Sequence, residues 1–110
     1  MIQRVEAGRE LAAGALEQLG KSLPELVNQG VTCISVDTSK VVEFDSLTLQ
    51  AVLEFDALAR SRGLEVVIDK PSVVLEQALV ITGLAERLDV RDPGGASVGD
   101  RVRAAQGNPS

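Results

Sequence analysis

The chain has 110 residues, 45% of them hydrophobic, enough for one domain with a modest core and too few for two. Its formal charge of −5, with no basic cluster, opposes direct nucleic-acid binding, and no apolar run approaches the roughly 20 residues that span a bilayer, so direct membrane insertion is not expected. Histidine is absent, which removes the usual general base, the usual metal ligand and any Ser-His or Cys-His nucleophile pair; no catalytic centre, cofactor or metal is expected.

Met1 to Glu6 has no signal-peptide apolar core, so the domain is expected in the cytoplasm or held at a membrane by another protein. Residues 2–11 suit one or two short strands turning at Gly8. From 12 to 20, Leu11, Ala15, Leu16 and Leu19 recur at helical spacing. Gly20 and Pro24 interrupt that pattern, and Pro24 fits the first turn of a second helical segment carrying Leu26 and Val27, with Ser22 nearby as a cap. Residues 31–36 are apolar or small at both parities, the pattern of a strand covered on both faces. Cys33 lies inside that run and has no second cysteine to pair with, so it reads as a small core residue.

A short polar turn then leads into a helix at 46–62, with Asp45 or Ser46 supplying the N-cap oxygen. At about 100° per residue, Thr48, Val52, Phe55 and Ala59 share the face laid on the sheet, flanked by Leu49 and Leu53. Leu47, Ala51 and Leu58 form a second row beside Gln50, Glu54 and Ser61, expected to be partly exposed. Asp56 and Arg60, four apart, can pair. Gly63 ends the helix, and 64–69 is a strand rich in β-branched residues. Ser72 and Pro71 open a helix over 73–82 whose inward residues are Val74, Leu75, Ala78 and Leu79, and 87–90 is a short last strand. Beyond Asp92 no apolar period survives, so residues 92–110 are expected to be a flexible tail after a domain at 1–91. Only Phe44 and Phe55 are aromatic, so Val, Leu, Ile and Ala must build the core. Strands alternating with helices imply an α/β fold: a small, mostly parallel or mixed sheet of four to five strands with helices packed on it.

Four pieces of this chain resemble the STAS family, named for sulfate transporters and anti-sigma-factor antagonists. Asp45-Ser46-Leu47-Thr48-Leu49 lies where that family has Asp-Ser-Ser/Thr-Gly-Leu at the start of its second helix. Pro71-Ser72-Val73, Ile81-Thr82-Gly83-Leu84 and Leu88-Asp89-Val90 are similar to its closing segments, and the likeness covers about residues 1 to 91. It implies a bacterial regulatory domain of STAS-like fold that binds a protein partner through the loop and N-terminus of this helix, at Lys40, Val42, Asp45, Ser46, Leu47, Ala51 and Leu58. In the antagonists the partner is a serine kinase that is itself an anti-sigma factor. Leu47 replaces the phosphorylated residue of that family, so the kinase-operated switch is in doubt. Ser46 and Thr48 remain the candidate phosphoryl acceptors, although capping hydroxyls are usually structural. The alternative is a STAS subunit or regulator of an ABC-type transporter, lipid-handling or anion-carrying, whose partner would be the ATPase.

Other functions have less equipment. Glu6, Glu10, Asp37, Glu43 and Asp69 do not form a calcium or magnesium loop, and Gly94-Gly95 lacks the lysine and helix of a phosphate-binding loop. If the Leu47, Ala51, Leu58 row is not covered by the tail or a neighbouring loop, it is a surface for a partner or for a homodimer.

Overall fold

Strand and helix alternate along the chain in this computed structural model, which describes residues 1–106. The order is β1 (Ile2–Glu6), α1 (Ala13–Lys21), α2 (Leu23–Asn28), β2 (Cys33–Asp37), α3 (Ser46–Ser61), β3 (Glu65–Asp69), α4 (Val73–Ile81), α5 (Leu84–Arg87), β4 (Asp89–Arg91) and α6 (Val98–Gln106). The strands form one sheet in the order β1-β2-β3-β4, and every pair is parallel. This is the α/β sheet expected, with four strands, all parallel, among the described residues.

The strand order decides which face is covered. Each strand is followed by its spatial neighbour running the same way, and right-handed crossovers then put the connecting helices on one side. Burial agrees: the register sets Ile34, Val36, Val66, Ile68 and Val90 on one face, all 5% exposed or less. The opposite face carries Arg4, Cys33, Ser35, Val67 and Asp89, of which only Ser35, at 9%, is buried. The strand over 31–36 is therefore not sandwiched between helices, as its composition suggests. Small residues at Cys33 and Ser35 fit a face closed only by its own neighbours.

Helix boundaries follow local chemistry. Pro24 lies at the first positions of α2, where its missing N–H would have no helical partner anyway. Ser22 does not cap it; its backbone is already helical and its hydroxyl donates back to the Gln18 carbonyl. Gly63 follows α3 with φ +82°, a left-handed conformation that ends a helix without Cβ strain. Ser72 caps α4, its Oγ accepting from the Leu75 N–H at 3.2 Å. On α4, Leu75 and Leu79 point inward, whereas Val74 is 51% exposed, contrary to the inward position assigned to it from spacing. The residues before α1 hold one strand and not two, and Glu10 makes only an isolated parallel bridge with Glu43.

The expected flexible tail is corrected over 92–106. Asp92 accepts backbone hydrogens from Gly94 and Ala96, Ser97 Oγ accepts from the Asp100 N–H, and α6 follows. Val98 is fully buried, and a Cβ on Gly99 would run into the Ala85 carbonyl oxygen, so glycine there lets α6 lie directly on α5. Arg101 reaches back to Glu76 at 2.6 Å. The buried Val98, with Val102 packed against the core four residues on, and one glycine contact hold the helix in place. The tail expectation for residues 107–110 lies outside the described residues.

Candidate functional site

The junction after β2 is held rigidly by backbone hydrogen bonds. Thr38, fully buried, donates its N–H and its hydroxyl to the Asp69 carbonyl at 3.0 and 3.1 Å, and its own carbonyl accepts from the Ser72 N–H. Asp37 accepts from the Ser39 N–H at 2.9 Å; Ser39 through backbone and hydroxyl, with Lys70 nearby, holds the Asp37 carboxyl below the usual carboxylate range. Val41 is a fully buried anchor. The Arg9 carbonyl then accepts from the Val42 and Glu43 N–H groups at 2.8 and 3.0 Å, and the Leu11 N–H donates to the Glu43 carbonyl at 2.9 Å. These bonds tie the loop to the segment before α1.

At the start of α3 the cap is Asp45. Its Oδ1 accepts from the Thr48 N–H at 2.8 Å and from the Thr48 hydroxyl at 3.0 Å, and these bonds hold its carboxyl below the ordinary range. Thr48 is 4% exposed, so its hydroxyl is both used and covered. Ser46 is the first residue of α3, exposed and not the cap. Leu47, one residue on, is 74% exposed. A large apolar side chain thus stands in water beside a rigid helix start.

Along α3 the rows expected from spacing are present. Thr48, Leu49, Val52, Phe55, Asp56 and Ala59 are buried; Arg60 Nε donates to both carboxylate oxygens of Asp56 at 3.1 Å, which satisfies an acid only 6% exposed. Leu47, Ala51 and Leu58 line an open groove of about 630 Å³ between α3 and α1, with Ala13, Leu16, Gly20 and Phe55 on its apolar floor and Glu17, Lys21, Gln50 and Glu54 along it. Among the described residues, no residue of the segment after β4 and no loop residue lines it. Ala13 and Leu47 also line an adjoining hollow of about 390 Å³, shared with Glu10, Leu11, Ala12, Glu43, Phe44, Asp45 and Thr48.

The structure divides the candidate residues. Leu47, Ala51 and Leu58 share the groove, and Asp45 lies in the adjoining hollow. Lys40, Val42 and Ser46 line neither. Lys40 pairs with Glu6 at 2.9 Å, which raises the lysine pKa, and both side chains are exposed. Val42 is half exposed. The contribution of α1 was missed, although a signal for it existed: Ala13, Leu16, Glu17 and Gly20 recur at three- and four-residue spacing along one edge of that helix. Gly20 sits inside α1, where a Cβ would lie 3.5 Å from Leu58. That is an ordinary van der Waals distance, so the wall of the groove has room for a methyl group at this position.

The arrangement offers shape and apolar surface. Among the described residues no group of three or more His, Cys, Asp or Glu is placed to hold a metal, and no helix is long and apolar enough to cross a membrane. Burial, then Glu65 and Asp89, push the Cys33 thiol up, away from a reactive thiolate. The model of a family described as "Mlab, STAS domain" matches residues 3–91. No curated protein and no solved structure matches the chain.

Proposed function

The chain belongs to the STAS-domain family, and from that premise we propose that it is a non-catalytic regulatory domain whose α3 entrance and adjoining groove bind a partner protein. The observation that carries this reading is Leu47, 74% exposed at a helix start that hydrogen bonds hold in place and continuous with an apolar groove. An exposed apolar strip beside a fixed backbone is inexpensive to desolvate and has little conformational freedom left to lose on docking. In this reading Asp45, Leu47, Ala51 and Leu58 form the contact, with Lys40, Val42 and Ser46 around it. The domain works in the cytoplasm and competes for a surface of its partner, as an anti-sigma-factor antagonist does.

Leu47 favours a second reading as well. It stands where the antagonists carry their phosphorylated residue, and a leucine accepts no phosphoryl group. Of the neighbouring hydroxyls, Thr48 is buried and hydrogen-bonded, so a kinase acting here would reach Ser46. A domain without the acceptor suits a STAS subunit bound to the ATPase of an ABC-type transporter of lipids or anions. Affinity capture from native lysate separates the two by what is retained, a serine kinase of the anti-sigma type or a transporter ATPase.

The reading itself is tested by Leu47→Asp. The side chain is exposed, so the melting temperature should stay within about 2 °C of the parent, corresponding to surface substitutions within about 0.5 kcal/mol. Affinity for the captured partner should fall at least tenfold. Unchanged affinity would remove the α3 entrance from the interface.

A further inference from the structure

We propose that the groove between α1 and α3 takes a cationic amphipathic helix of about three turns, supplied by the partner protein. The inference rests on the partner-binding reading above and adds the chemistry of the partner. Length comes from α3: Leu47 and Leu58 mark the ends of the apolar row, eleven residues apart, which at 1.5 Å per residue is about 16 Å. A helix laid in such a groove presents apolar residues at i, i+4, i+7 and i+11.

Charge comes from the rim. Glu17 and Glu54 line the groove, and Glu10, Glu43 and Asp45 line the hollow that continues it, against a single cation among the described residues, Lys21. Among the described residues none of these five acids is in an ion pair; the pairs that form are elsewhere, as in Lys40–Glu6 and Arg60–Asp56. The bridge between Glu10 and Glu43 pairs their backbones, and both residues line the hollow, so a cation bound there would meet two acids. Anionic partners, including acidic membrane surfaces, are repelled by the same array. A second copy is also a poor occupant: its exposed Val73, Val74 and Ile81 lie on α4, whose only charge is Glu76, and its Leu47 and Leu58 would bring a second acidic rim against the first.

The test is a selection of displayed helical peptides against the intact protein. Four positions spaced i, i+4, i+7 and i+11 are drawn from Leu, Ile, Phe, Met and Ala, and the others from Lys, Arg, Glu, Gln and Ala. The expected winners have large apolar residues at the four positions and Lys or Arg in excess over Glu. Their affinity should fall at least tenfold with Leu58→Glu and with Glu10→Lys/Glu43→Lys, and should weaken as salt is raised from 50 to 500 mM, since exposed charges are screened. Both variants alter exposed side chains, and thermal melts confirm that each still folds. Neutral or acidic winners, binding indifferent to either variant, or no winners at all would overturn the proposal. Concentration-dependent dimerisation abolished by Leu58→Glu would overturn it in favour of a second copy. Failure here leaves the partner-binding reading standing if Leu47→Asp still disrupts the captured complex; if that complex is indifferent to Leu47→Asp, the reading itself falls.

Discussion

Asp45 and Thr48 form the smallest unit on which the site depends. The Asp45 carboxylate closes the first turn of α3 by accepting from the Thr48 N–H and hydroxyl, and both bonds favour its ionised form. Because its folded-state pKa lies below the unfolded value, the cap contributes stability above the ordinary carboxyl pKa of about 3.9 and loses it as pH falls through the lower, folded-state value. We expect Asp45→Asn to keep the cap and flatten that part of the acid limb in thermal melts between pH 6 and 2. Thr48→Val should move the Asp45 carboxyl back towards the ordinary value in an NMR titration, because one of its two donors is gone. An unchanged titration would mean that the hydroxyl is not the donor. The sequence left Asp45 and Ser46 as alternative caps because both residue types cap helices well. Only the backbone direction at the helix entrance separates them: it aims the Asp45 carboxylate at the Thr48 N–H and hydroxyl and makes Ser46 the first helical residue.

Helix α3 shows how far periodicity reaches. Its buried row and its exposed row were both legible, since 16 residues sample the helical repeat more than four times. What periodicity cannot show is the neighbour: α1 forms the other wall of the groove, and Gly20, which interrupts the pattern in sequence, sits comfortably inside α1. Gly20→Ala should raise stability by about 0.5–1 kcal/mol, because the helix gains propensity and the new Cβ meets Leu58 at ordinary contact distance. Denaturant melts check this, and a loss of stability would mean that α1 and α3 are already packed as closely as they can be. At the other end, α6 was missed because one buried valine is not a period. Its start was nevertheless written in Ser97-Val98-Gly99-Asp100, a hydroxyl followed three residues later by an acid, where Ser97 accepts the Asp100 N–H. Val98→Ala should cost about 1–3 kcal/mol by denaturant melt, as for a truncated core residue. No cost would return residues beyond Arg91 to the loose tail their composition suggests.

For the molecule as a whole, the α/β class followed from alternating strands and helices, but the one-sided sheet did not. Both faces of 31–36 look alike in composition, and only the strand order, which no local pattern encodes, leaves Cys33, Ser35 and Val67 on a face without helices. The molecule therefore has two sides of different character: an open strand face dotted with charges, and a helical side cut by an apolar groove with an acidic rim. Recognition is proposed for the helical side. Amide hydrogen exchange of the protein, free and bound to its captured partner, tests that assignment most directly. Slowed exchange should concentrate in residues 13–21 and 45–58, the two walls of the groove and the entrance of α3. Slowing confined to 33–37 and 65–69, with those helices unchanged, would place the partner on the open strand face and contradict the account.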